Sequence, residues 1–66
     1  MNELRTKLIT EANELNEKID KLATFMDTDA FYEIDPLQSM LLGIQLNSML
    51  SYYKTLETRV ELMDVR

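Results

Sequence analysis

Apolar residues return at alternating intervals of four and three residues through the second half of this chain. This spacing aligns them along one side of an α-helix and predicts that this side packs against another helix. The residues of this stripe are Leu42, Leu46, Met49, Tyr53, Leu56, Val60 and Met63. Beside the stripe, Gln45, Tyr52 and Arg59 follow one another at intervals of seven, so they share one flank of the same helix.

A second apolar stripe occupies the first part of the chain and predicts a helix over about 3–26. Its members are Leu4, Leu8, Ala12, Leu15, Ile19, Leu22 and Met26. The pattern stops at a run of short polar residues, 27–29, which compete with the backbone for hydrogen bonds and predict a connection. Asp35 followed by Pro36 is typical of a helix start, because Asp caps the first turn and Pro loses no donor there. The second helix is therefore predicted over 36–64.

Two helices of similar length joined by a short connection predict an all-α fold, an antiparallel two-helix hairpin in a single domain, 1–66. If the turn is centred near Phe31, Lys18 faces Gln45, and Arg59 lies near Arg5 at the open end.

The beginning of the second helix carries more apolar residues than one stripe can use. Those outside the stripe are Leu37, Met40, Leu41, Ile44 and Leu50. A chain of 66 residues has a small core, and without cysteine it has no disulfide to reinforce it. We therefore expect these residues to form the interface of a homo-oligomeric helical bundle.

Composition excludes several classes of function. The 12 acidic residues outnumber the 7 basic ones, which disfavours DNA or RNA as a partner. No apolar run is long enough for a membrane span, so a cytoplasmic protein is expected. Histidine and cysteine are absent, and the acidic residues of 27–35 lack the turn glycine of a calcium loop. We expect no metal, no cofactor and no catalytic residues, and hence not an enzyme.

The polar row of Gln45, Tyr52 and Arg59 is the best candidate for a ligand site. An arginine can bind a phosphate bidentately, a tyrosine can stack on a base, and a glutamine can hydrogen-bond a base edge or a ribose. The candidate ligand-binding residues are Arg59, Tyr52, Gln45 and Tyr53, with Lys18, Lys21 and Arg5 as nearby cations. The alternative is that the row only satisfies its own hydrogen bonds, or those of Glu11, and that the cations form solvated salt bridges.

The order of residues also resembles a known family. The pattern EL..KI.KL..F over 14–25, then Phe31, then LL..Q...M..Y...L..R over 41–59, resembles very small bacteriophage proteins related to a crAss-like phage protein. Phage helical hairpins similar to these include oligomeric sponges, which sequester nucleotide messengers of the bacterial CBASS and Thoeris immune systems at interfaces between protomers.

The resemblance implies a phage anti-defence protein of the host cytoplasm. It would sequester a cyclic oligonucleotide or an ADP-ribose derivative between protomers. Two other functions fit the same helices: a protein–protein interaction module that inhibits a host protein through the apolar face of 37–50, and a structural coiled-coil component.

Overall fold

The computed structural model describes residues 2–64, with only the backbone at Asn2. These residues form three helices, α1 (Asn2–Met26), α2 (Asp29–Glu33) and α3 (Pro36–Asp64), and no strand occurs among them. The predicted all-α class is confirmed. Both long helices begin and end within a residue of the predicted bounds, because their starts and stops are encoded locally.

The connection between the long helices begins where α1 loses its regular hydrogen bonds. The amide of Thr28 donates to the carbonyl of Phe25 at 3.0 Å, and the Thr28 hydroxyl donates to the same oxygen at 2.6 Å. The single turn of α2 then places the ring of Phe31 edge-on to that of Phe25, with centroids 6.0 Å apart. The aromatic pair packs the end of α1 against α2.

Asp35 caps α3 as predicted. Its carboxylate accepts a hydrogen bond from the backbone amide of Leu37 at 2.7 Å, and its carbonyl accepts one from the amide of Ser39 at 3.0 Å. Pro36 is the first residue of α3. The Asp35 carboxylate satisfies a free amide of the first turn, and Pro36 has no amide hydrogen to leave free. Together they explain the sharp start of the helix.

The core lies between α1 and α3. Leu8 and Ala12 of α1 are buried against Leu56 of α3, which is 0% exposed. Four partly buried residues pack around this cluster: Leu15, Tyr53, Val60 and Met63. Ile19 is the remaining buried side chain of the described residues. Both apolar stripes thus point inward, and the most completely buried side chains cluster around Leu56.

The contacts between α1 and α3 differ in register from the prediction. Arg5 lies beside Asp64, where its Nε is 2.8 Å from a carboxylate oxygen, whereas the prediction placed Arg5 near Arg59. Relative to the predicted pairing, α3 is displaced by one to two helical turns. The first turn of α3 lies beside α2, since the Ser39 hydroxyl reaches the Phe31 carbonyl at 3.5 Å. Contact with α1 therefore begins further along α3.

The molecule is a rod, with extents of 49 × 15 × 13 Å. Its radius of gyration is 15.1 Å, whereas a compact chain of this length has about 11 Å. Its accessible surface is 5249 Å², compared with about 4,400 Å² for a compact protein of this mass. Two packed helices leave much of each helix uncovered.

Neither α1 nor α3, the long helices of residues 2–64, contains a stretch apolar enough to cross a membrane.

Candidate ligand-binding site

The polar row lies on an exposed flank of α3. Gln45, Tyr52 and Arg59 are all solvent-exposed, and 45% of the surface of Tyr52 is accessible. At the rise of an α-helix the row extends about 21 Å from its first member to its last. The structure therefore keeps the three side chains on one flank but does not bring them together around a single small ligand.

The three side chains of the row do not satisfy one another. The amide of Gln45 is 4.0 Å from the sulfur of Met49, a weak contact within its own helix. Tyr52 and Arg59 make no side-chain hydrogen bond with another described residue, and the one salt bridge within residues 2–64 is Arg5–Asp64. Within the described residues, the phenol and the guanidinium are thus free to bind a ligand.

Arg5, a predicted ligand-binding cation, is engaged elsewhere. Its guanidinium donates two hydrogen bonds to Asp64, at 2.8 and 3.2 Å. These bonds hold the pKa of the Asp64 carboxyl below its ordinary value and raise the pKa of Arg5. A cation in the first turns of α1 and an anion in the last turn of α3 are each unfavourably placed for the helix dipoles. Their pairing offsets both repulsions.

Tyr53 points towards the core, on a different side of α3 from its exposed neighbour Tyr52. It is half-buried against the core cluster and lines a groove of about 270 Å³ between α1 and α3. The groove is lined by Ile9, Ala12, Asn13, Tyr53, Glu57, Val60 and Glu61. Two carboxylates and no cation line it, so this groove repels an anionic ligand. The aromatic ring of Tyr53 contributes to the core and to this acidic side.

Helical periodicity places one of the two remaining cations beside the polar row. Ile9 and Asn13 mark the edge of α1 that faces the acidic groove. Lys18 lies on the opposite edge of α1, the side on which α3 presents the polar row. Lys21 is exposed and further from the helix contact. Of the predicted cations, Lys18 is the one that shares the side of the row.

The predicted interface residues are exposed along α3. Leu37, Met40, Leu41, Ile44 and Leu50 all have large accessible apolar surfaces. The sequence reasoning missed Leu62, which is 68% exposed, and Tyr32 on α2, which is 78% exposed. Leu62 could have been found by continuing from Ile44 in steps of four and three residues along the outward face of α3. The sequence around Tyr32 does not indicate whether this residue of α2 is exposed or packs against the long helices.

The acidic residues do not form a metal site in the described part of the chain. No group of three or more potential ligands comes together among residues 2–64. The carboxylate of Asp35 is instead used as the cap of α3.

Comparison with known families identifies what this chain is related to. The profile of the Sequestin family matches residues 2–62, which is almost the whole chain. The comparison with curated proteins found no match, and neither did the comparison with solved structures. The chain therefore belongs to the Sequestin family, whose name denotes the sequestration of a ligand.

Proposed function

We propose that this protein is an antiparallel helical hairpin that self-associates and sequesters a small anionic nucleotide between its copies. In this proposal the chain is a phage anti-defence protein, related to a crAss-like phage protein, and it acts in the host cytoplasm. It withholds a nucleotide immune signal, a cyclic oligonucleotide or an ADP-ribose derivative, without cleaving it. The observation that carries the proposal is the Sequestin match over residues 2–62.

The charges on the molecule favour the side of the polar row as the nucleotide site. The groove between α1 and α3 is lined by Glu57 and Glu61, which repel phosphate. On α3, neither the preceding nor the following turn places a carboxylate next to Arg59. A local cation can attract an anion even though the net charge is −5, because the field at the site decides.

Self-association is supported by the shape and surface of the single chain. The accessible area exceeds that of a compact protein of the same mass, and large apolar side chains of α3 are uncovered. Fully burying one such side chain stabilises an assembly by about 1.5–3 kcal/mol. The polar row, about 21 Å long on one helix, is longer than a single nucleotide. Residues from more than one copy are therefore needed to surround a small ligand.

The site would bind its ligand by three kinds of contact. Arg59 would hydrogen-bond a phosphate, Tyr52 would stack on a base, and Gln45 would hydrogen-bond a base edge or a ribose hydroxyl. Arginine and glutamine are not bases at neutral pH, and no described residue hydrogen-bonds the Tyr52 phenol to activate it as a nucleophile, so the bound ligand is expected to remain intact.

Isothermal titration calorimetry tests the proposal. The protein is titrated separately with cyclic di-adenylate, cyclic tri-adenylate and cyclic ADP-ribose, and the bound ligand is then released by heating and identified by mass spectrometry. We expect one compound to bind and to be recovered unchanged. Absence of binding by all three, in a sample that is verified to be folded, would contradict sequestration of this class of nucleotides, and recovery of a cleaved product would contradict a non-enzymatic role.

Matched variants connect the binding to the row. Arg59→Ala removes a charge-assisted contact and is expected to weaken binding roughly 10- to 150-fold. Lys54→Ala makes the same charge change on a different side of α3 and should leave binding nearly unchanged. Equal effects of the two variants would show that Arg59 acts only through net charge.

A further inference from the structure

The outward face of α3 carries no charge along its whole length. Its residues are Leu37, Met40, Ile44, Asn47, Ser48, Ser51, Thr55, Thr58 and Leu62, and all of them are exposed. The outer face of α1, by contrast, carries Glu17 and Asp20 among other charges. Two copies of a chain with net charge −5 repel each other, and α3 offers a face on which they can meet without opposing carboxylates.

Three of the four hydroxyl groups on this face are already satisfied by their own helix. Ser48 donates to the carbonyl of Ile44 at 3.1 Å, and Thr55 donates to that of Ser51 at 3.0 Å. Thr58 donates to the carbonyl of Lys54 at 2.9 Å. A hydroxyl bonded in this way loses little when water is removed, and it turns its carbon atoms outward. These three residues can therefore be buried beside the leucines of the face.

The order of large and small side chains along this face favours a second α3 helix as its partner, running in the antiparallel direction. The bulky residues Leu37, Met40 and Ile44 come first along α3, and smaller residues follow from Asn47 to Thr58, before Leu62. In an antiparallel pair of α3 helices Met40 and Ile44 each meet a small residue, and the leucines meet one another at the two ends of the contact. The pairs are Leu37 with Leu62, Met40 with Thr58, Ile44 with Thr55, and Asn47 with Ser51. A parallel pair would oppose bulky residues at one end and leave a gap further along.

We propose that a second copy of this chain covers this face through an antiparallel α3–α3 contact, and that each ligand site is shared between the two copies. The two-fold axis passes between Met49 and Leu50. Tyr52 then lies beside Gln45 of the second copy, and Arg59 lies beside Gln38 of the second copy. The assignment of these residues to a ligand rests on the proposed function, whereas the helix pairing does not.

The antiparallel contact shortens the site. Within one copy, the row from Gln45 to Arg59 extends about 21 Å along the axis. Across the two-fold axis, Tyr52, Arg59 and the two glutamines of the second copy fall within about 13 Å. Symmetry repeats this set at the other end, so each dimer has two equivalent sites, and neither is complete in a single copy.

Single engineered cysteines test the pairing without any ligand, because the natural chain has none. Ser51→Cys would place two thiols about 5 Å apart along the axis of the antiparallel pair, and Thr58→Cys would separate them by about 26 Å. Under mild oxidation we expect a covalent dimer from Ser51→Cys and essentially none from Thr58→Cys. Equal cross-linking of the two variants would indicate a parallel pair, and a monomer by sedimentation at all concentrations would refute the contact altogether.

Mixing two inactive variants tests whether the sites are shared. Arg59→Ala protein and Gln38→Ala/Gln45→Ala protein are unfolded, mixed in equal amounts, refolded together and titrated with the three nucleotides named above. Half of the dimers are then mixed, and each carries one intact site, so about one quarter of the wild-type capacity returns. No recovery, with a ligand that the wild type binds, would place the whole site in one copy and refute sharing. If no nucleotide binds the wild type, the proposed function fails, and the cross-linking still decides the helix pairing.

Discussion

Replacement of Leu56 by alanine tests whether the core seen in the structure is what holds the chain together. Leu56 is 0% exposed and contacts Leu8 and Ala12, so truncation leaves a cavity that the surrounding side chains fill only partly. A buried Leu→Ala change costs about 2–5 kcal/mol, while a core of this size supplies only about 3–5 kcal/mol. Most of the stability of a single copy should therefore be lost, and the thermal midpoint should fall by roughly 10 °C or more.

Circular dichroism at several protein concentrations separates this effect from one on assembly. Leu62→Ala removes the same atoms from a side chain that is 68% exposed, so it should alter stability only where copies associate. Leu56→Ala should lower the thermal midpoint at every concentration. If the two variants behave alike at the lowest concentration, or if Leu56→Ala costs less than about 1 kcal/mol, the assigned core is wrong.

Three further changes probe single features of the fold. Asp35→Ala removes the cap of α3 and should destabilise the protein by about 0.5–2 kcal/mol, and urea unfolding should show a smaller loss for Asp27→Ala, whose side chain caps no helix. Because the pKa of Asp64 is lowered in the folded state, its bond to Arg5 stabilises the protein above the ordinary carboxyl pKa of 3.8 and is lost as the pH falls through the lower folded value. In Asp64→Asn the free energy of unfolding should therefore fall less steeply as the pH is lowered into the acid range. An unchanged pH dependence would refute a stabilising bond between Arg5 and Asp64. At Gly43 an added methyl group meets nothing within 4 Å, so Gly43→Ala should stabilise α3 by about 1 kcal/mol in chemical denaturation; a loss of stability that grows with protein concentration would instead reveal a close helix neighbour there.

The candidate site was partly predictable from the sequence. Intervals of seven place Gln45, Tyr52 and Arg59 on one flank in any straight helix, and the structure keeps them exposed there. The inward stripe already includes Tyr53, so its place in the core follows from the same periodicity. The acidic groove beside Tyr53 and the bond of Arg5 to Asp64 were not predictable in this way. Both depend on which residues of the distant helix lie opposite, and neighbouring positions carry no signal of that.

The sequence by itself determined the helices of this protein. The apolar periodicity, the polar break after Met26 and the Asp35–Pro36 start act over a few residues, and the bounds of α1 and α3 follow from them. Only the tertiary structure decided the register between α1 and α3, because neither helix carries a local signal of which residues of the other lie opposite. In that register the first turn of α3 lies beside α2, Asp64 lies beside Arg5, and Leu56 is completely buried. The uncharged face of α3 stays uncovered in any register, since the inward stripe of one helix can cover only one side of another.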